Sequence, residues 1–362
     1  MVPYLLLFIL AFACAATDVY PMKNKWVLVV PFIAVMFVMV AFRDGLGGTD
    51  YTMYKYFYSK VVSLPEYLQG HYVPHYRTKT FEVGFVTFSS IIRIFDTSKT
   101  PYVYMFSIAV INVVLLFSSV RKYTPYIFLA LLFYMYKAYF WHEFTLLRQS
   151  IAIGLFMYSI QYIKSRDPLK YFTINLLGMS MHASAIILLP LYFFVGKRYD
   201  DFKIFMIVAI AFLLNVLGPN IFYLGVRLAS FVGMANRFST YFIAKSINPL
   251  NFLEILFVLF VALNRRKFYE EKEPYFNIFL NLFVISSFLI IAFSSFEIFA
   301  RFKEYFVVAY MILFSYFIGH IKDTRTKTAA FMLFTAYCFA GYIRYLYTFH
   351  GGSLLPYKWI LF

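Results

Sequence analysis

Residues 101–164 read PYVYMFSIAVINVVLLFSSVRKYTPYIFLALLFYMYKAYFWHEFTLLRQSIAIGLFMYSIQYIK, and this stretch decides the fold. Three apolar runs, 101–119, 124–141 and 147–164, follow one another with only short polar joints. Crossing the hydrocarbon core of a bilayer takes about 20 predominantly apolar residues as helix. In lipid the backbone must satisfy its own hydrogen bonds, which leaves the helix and the closed barrel as spanning structures. The runs are long and continuous, without strict polar–apolar alternation, so they predict helices and not barrel strands.

The pattern extends both ways along the chain. Further crossings are expected at 2–17, 25–42, 204–224, 248–264, 275–296, 299–319 and 328–349. Two apolar pieces are too short or too broken to cross cleanly. One is 81–95 (FEVGFVTFSSIIRIF), the other 171–195, interrupted near Gly178-Met179-Ser180-Met181-His182. Both are expected as re-entrant or broken helices, which occur where backbone lines a cavity. The expected fold is an all-α polytopic membrane protein of about ten crossing helices plus these two segments. It is expected as a single transmembrane domain over 1–362, because no repeat, low-complexity tract or soluble domain is visible.

Composition agrees. Of 362 residues, 62% are hydrophobic and only 14% charged, against about 25% charged in soluble domains. The net charge of +16 fits loops held against anionic lipid better than nucleic-acid binding, since no basic stripe lies on a soluble domain. Cys14 and Cys338 sit inside apolar runs and read as small buried hydrophobes, not as a disulfide or metal site. Residues 2–16 have a signal-peptide-like core, but no Lys or Arg precedes it, so a retained first helix is expected.

Lys and Arg counts set the orientation. The loops at 18–25, 120–123, 164–170, 196–203, 265–274 and 320–328 hold 17, and the opposite short loops hold 7. Long loops are discounted in this rule, which sets aside 43–100. The richer face is expected to be cytoplasmic, with both termini and a large 43–100 loop outside.

Charged residues gather on the outer face, and ionisable groups at membrane depth are functional candidates. Arg43, Asp44, Asp50 and Tyr51 lie in a glycine-rich turn (Arg43-Asp44-Gly45-Leu46-Gly47-Gly48-Thr49-Asp50-Tyr51) where backbone can approach a ligand closely; a snorkelling Arg on a turn is the bland alternative. Glu82 opens the 81–95 segment, where a helix dipole alone would favour it. Arg148, followed by Gln149, opens a helix whose dipole opposes it, and Arg with a helix N-terminus suits an anion. His182 lies in the broken segment, as acid, base, ligand or structural hydrogen-bonder. Arg227, Arg237, Glu297, Arg301, Lys303 and Glu304 form a late outer group that a helix-end charge network would also explain. No metal-ligand spacing and no nucleotide-binding or hydrolase motif appears, so no cofactor is expected.

At these residues the sequence resembles the EpsG-type branch of the Wzy-like polysaccharide polymerases. The resemblance rests on FRDGLGGTDY at 42–51, FEVGF at 81–85, LLRQSIAIGLFMYSIQYI at 146–163, MHASAIILLPLY at 181–192 and ARFKEYF at 300–306, in that order. Gly47-Gly48-Thr49-Asp50-Tyr51 departs slightly from the VGTDY form associated with this branch. The resemblance implies a glycosyltransferase of the bacterial inner membrane with a GT-C-like plan, serving O-antigen or exopolysaccharide synthesis. It would join oligosaccharide repeat units carried on undecaprenyl diphosphate, as donor and acceptor, on the periplasmic side. A chain-length regulator is a possible partner, and nucleic acid is not. In that reaction negative charge builds on the leaving diphosphate, which Arg43, Arg148 and Arg301 would stabilise. His182 would be the base, with Asp50 and Glu82 as alternatives. Asp44, Tyr51, Gln149, Arg237 and Lys303 would contact substrate.

Two other readings stand beside it. One is a GT-C-type enzyme moving a single sugar from a polyprenyl monophosphate, with Asp44 or Asp50 as base. The other is a lipid-linked oligosaccharide flippase, which would want charges through the middle of many helices.

Overall fold

The computed structural model describes residues 1–71, 81–98, 100–231, 249–263, 274–294 and 301–360. Arg237 and Glu297 lie outside them. The described residues contain no strand; Arg43 and Trp359 form an isolated antiparallel bridge. The rest is helix and turn, so the protein is an all-α membrane protein. Four helical runs among the described residues are long and apolar enough to cross a bilayer alone: Val2–Val19, Tyr102–Tyr123, Arg301–Gly319 and Thr324–Gly351. Trp26–Ala41, Val83–Phe95, Ile127–Lys137, Ala183–Phe194 and Phe276–Ala292 are apolar but shorter. Of the expected crossings, 25–42, 124–141 and 275–296 correspond to shorter helices and 147–164, 204–224 and 248–264 fall in neither group, while Val83–Phe95 and Ala183–Phe194 belong to the two pieces not expected to cross. Ile9 of the first helix, Val27 and Val30 of the second and Leu333 near the C-terminus are exposed. Apolar side chains turned outward from consecutive helices face lipid.

The chain forms two compact units, 1–189 with 314–362, and 190–313. No linker-like composition separates them, because both are built of the same apolar helices.

In the first unit, α1 (Val2–Val19) packs on α2 (Trp26–Ala41), α7 (Ile127–Lys137) and α15 (Thr324–Thr348). The Asp18 carboxylate at the end of α1 accepts the Phe128 and Leu129 N–H groups, capping the start of α7. α3 (Gly48–Lys60) and the short α4 (Leu64–Leu68) lead to α5 (Val83–Phe95). Tyr54 and Phe57 of α3, Phe81, Phe85 of α5 and Tyr104 of α6 (Tyr102–Tyr123) bury a continuous aromatic cluster. The far end of α5 is tied to α3: Tyr58 donates to Asp96 at 2.8 Å, and Arg93 donates to the Asp96 carbonyl at 2.6 Å while lying over the Tyr58 ring.

A π-helical turn, Trp141–Thr145, joins α7 to α8 (Leu147–Lys164), and α8 packs most closely on α9 (Pro168–Met181) and α6. α9 ends at His182, whose extended backbone leads into a 3-10 turn, Ala183–Leu188. Gly178, expected near an interruption, is helical and packs against Ala152 of α8. Such small-residue contacts let membrane helices approach closely.

The second unit holds α10 (Leu191–Phe194), α11 (Asp201–Phe231), α12 (Pro249–Leu263), α13 (Phe276–Ala292) and most of α14 (Val307–Gly319). Side-chain amides satisfy helix-end carbonyls there: buried Asn281 donates to the Val195 carbonyl at 2.8 Å, and half-buried Asn215 to the Ile291 carbonyl at 2.8 Å.

Candidate functional site

Three polar side chains far apart in sequence meet at the N-terminal end of α8. Glu82 is the N-cap residue of α5, but its side chain does not cap the helix. It turns instead toward Arg148, one residue into α8. Arg148 Nη1 donates to Glu82 Oε2, and the guanidinium lies over the Phe81 ring at 4.4 Å. A cation beside a helix N-terminus is opposed by the dipole; the carboxylate and the ring offset that cost. Tyr54 of α3 stands beside the guanidinium, 3.4 Å from Arg148 Nε.

His182 completes the cluster. The backbone break after α9 frees the Ala183 N–H, which donates to Glu82 Oε1 at 3.1 Å. His182 Nδ1 lies 3.1 Å from the same oxygen. Burial alone raises the Glu82 carboxyl, but the His182 bond, the Arg148 charge and the Ala183 N–H outweigh it and hold the group at about 2. Glu82 is therefore an ionised carboxylate, which can only accept, so Nδ1 carries the hydrogen. In the neutral ring Nε2 is then the acceptor. The three side chains keep between 14% and 20% of their surface exposed, so a ligand can reach them.

This contact depends on how closely α5 meets α9. A Cβ added to Gly84 would overlap the Ser180 side chain and come 2.8 Å from the Ser180 carbonyl oxygen. Glycine here lets Glu82 reach His182.

Asp50 lies in the first turn of α3, one turn before Tyr54, and its charge acts on that phenol. Tyr51 donates to Asp44 at 3.2 Å. Gln149 follows Arg148 but is buried. Arg301, exposed, and Lys303, half-buried, precede the 3-10 turn Glu304–Phe306 in the second unit.

Arg43 departs from its expected role on the diphosphate. It is 0% exposed, and its donors go to protein atoms: Nη1 to the Val40 carbonyl, Nε to Leu46 at 3.1 Å, and Nη2 to Phe144 at 3.4 Å. The ring of Phe144 lies 4.8 Å from the guanidinium. Around it the C-terminal segment is tied to the turn after α2, with Asp44 N–H donating to the Lys358 carbonyl and Ile360 N–H to the Phe42 carbonyl. Gly47, at φ 129°, holds this turn; a Cβ there would overlap the Phe144 carbonyl. Arg43 in this structure is a brace, because a buried fork can satisfy several carbonyls at once.

Sequence reasoning missed Tyr54 and Phe81 as neighbours of Arg148. The only signal for Tyr54 was its place four residues after Asp50 on the same helix.

Apolar helices enclosing a charged cluster at one helix end define a polytopic membrane protein with a polar site near the membrane boundary. The chain belongs to the EpsG family, whose model matches residues 26–359; these are Wzy-like polymerases. The match takes in Glu82, Arg148 and His182. No curated protein and no solved structure matches the chain.

Proposed function

We propose that the protein is a polysaccharide polymerase that joins undecaprenyl-diphosphate-linked oligosaccharide units on the periplasmic face of the bacterial inner membrane, using the Glu82–Arg148–His182 cluster. The observation that carries this reading is the shared carboxylate: Glu82 binds the Nδ1 side of His182 and one edge of Arg148. It thereby fixes a base and a cation together. His182 Nε2 takes the proton of the acceptor hydroxyl. The hydroxyl oxygen bonds to the anomeric carbon of the donor sugar, and the bond from that carbon to the diphosphate oxygen breaks. The electron pair leaves with the lipid diphosphate. Arg148, with donors beyond the edge held by Glu82, stabilises that charge. Glu82, an alternative base on sequence alone, acts here as the group that orients the base, as its low protonation range requires.

The test is a purified assay with a lipid-diphosphate oligosaccharide. His182→Gln keeps a hydrogen-bonding side chain but cannot take up a proton, and a lost base costs roughly 10²–10⁴-fold in rate. That loss is expected with substrate binding kept. Wild-type turnover in His182→Gln would remove the base role. Turnover only with a monosaccharide polyprenyl monophosphate would replace the polymerase by the single-sugar transferase.

A further inference from the structure

Arg148 is held from three sides, and the reaction above uses the side that is left. A carboxylate that meets an arginine often takes two nitrogens with its two oxygens, which fixes the guanidinium within its plane. Glu82 does not do so here. Its Oε1 is engaged by the Ala183 N–H at 3.1 Å and by His182 Nδ1 at 3.1 Å, so Oε2 alone meets Arg148, at Nη1. A planar group held by one such bond can swing about it.

Two other contacts remove that freedom. The Phe81 ring, 4.4 Å from the guanidinium carbon, covers one face and fixes the plane. The Tyr54 oxygen accepts from Arg148 Nε at 3.4 Å and fixes the rotation within the plane. Tyr54 serves as an anchor because its own ring is locked. It is 2% exposed, stacks on Phe81 with centroids 6.1 Å apart and meets Phe85 edge-on at 5.9 Å. An aromatic body packed in a core with a polar tip at its edge places that tip with little loss of entropy. With Nε on Tyr54 and Nη1 on Glu82, neither hydrogen of Nη2 has an acceptor among the described residues. Arginine carries no acceptor of its own and cannot lose its charge, so these hydrogens suit an anionic oxygen. Without the Tyr54 oxygen, the guanidinium could swing to take both oxygens of Glu82, in competition with His182 for Oε1.

We propose that, given the diphosphate role of Arg148 argued above, Tyr54 is a positioning residue: its phenol oxygen turns the guanidinium so that Nη2 is the end presented to the leaving diphosphate. The test is a titration of farnesyl diphosphate into the full chain purified in detergent, which needs no polymerisation. The wild-type chain should bind it, and Arg148→Lys should lose most of the affinity. Tyr54→Phe keeps the ring and its packing and removes only the oxygen. Its affinity should fall about fivefold or more, with a melting temperature near wild type. Added to Arg148→Lys, the same change should cost nothing further, since Lys has no Nε–H to hold. If Tyr54 only packs, Tyr54→Phe will bind as the wild type does, and that result overturns the proposal. An equal loss on both backgrounds overturns it as well, because Tyr54 would then act without Arg148. No binding to the wild-type chain would overturn the diphosphate role of Arg148 itself, and the role of Tyr54 with it.

Discussion

Arg43 and Arg148 lie on either side of the Phe144 segment, yet the environments of their guanidinium groups separate their roles. Arg43 is enclosed by the Val40, Leu46 and Phe144 carbonyls, whereas Arg148 is partly exposed and meets the Glu82 carboxylate, the Tyr54 hydroxyl and the Phe81 ring. Lys cannot reproduce the planar fork at either place. Arg43→Lys should strand at least one buried carbonyl, a loss of about 1–3 kcal/mol, read as a lower melting temperature and lower yield in membranes. Arg148→Lys should leave melting temperature and yield near wild type while abolishing most polymerisation. Near-normal long chains in Arg148→Lys would take Arg148 out of the site. The acid side follows from Glu82. Its carboxyl is lowered on folding to about 2, so its stabilisation is fully present above the ordinary carboxylate range and is lost as pH falls toward that value. Glu82 thus keeps its charge through the neutral range, and no loss of rate there belongs to it. The sequence nominated Glu82, Arg148 and His182 one by one. The family resemblance set them in one site, but not in contact, since 66 and 100 residues separate Glu82 from the other two and no period links such distances. It also set Arg43 beside them, because a buried and an exposed arginine look alike at a helix end.

At the scale of elements, the site exists because α9 stops at His182 and α5 begins against it. The apolar runs marked most helices well, since length and hydropathy report directly on lipid contact. They were less informative at irregular places. The π turn Trp141–Thr145 lay hidden between two apolar runs, and Glu143 in it carried no periodic signal. Gly178 suggested an interruption because glycine weakens a helix, but its use is close packing on Ala152. Gly84 is a sharper case, with a helical backbone and a neighbour, Ser180, that leaves no space for a methyl group. Gly84→Ala should push α5 away from α9 and lengthen the Glu82–His182 contact. Activity should fall while the chain still inserts, and Ser180→Gly should restore part of it by removing the overlapping side chain; the Ser180 carbonyl stays, so recovery is incomplete. Full activity in Gly84→Ala alone would show that the two helices are not held at this distance.

For the whole molecule, the hydrophobic surface and the helical content place the chain in a membrane, and the charge pattern is what assigns its sides. Neither feature could reveal the two compact units, because lipid-facing helices share one composition whichever unit they belong to. The orientation expected from the 17 against 7 basic residues in short loops can be tested within the first unit alone. α8 has 18 residues, about 27 Å of helix at 1.5 Å per residue, close to the thickness of the hydrocarbon core. Its start carries Arg148, near the Phe144 carbonyl that Arg43 grips, and Arg43 in turn is bridged to Trp359. Its far end is closed by Ser165, beside Lys164 and Arg166. Ser165 and Lys358 are therefore expected on opposite sides of the bilayer, and both are exposed. The two native cysteines, Cys14 and Cys338, are buried and should stay unlabelled by a membrane-impermeant maleimide. With Lys358→Cys, label added from the periplasmic side of intact cells should react before lysis. With Ser165→Cys it should react only after lysis. The reverse result would turn the site toward the cytoplasm, where the lipid-linked donor would have to be used before it crosses, and a periplasmic polymerase would be excluded. Labelling of both before lysis would mean that α8 does not cross at all, and the basic loop at 164–170 would then lie outside, against the charge rule that assigned it.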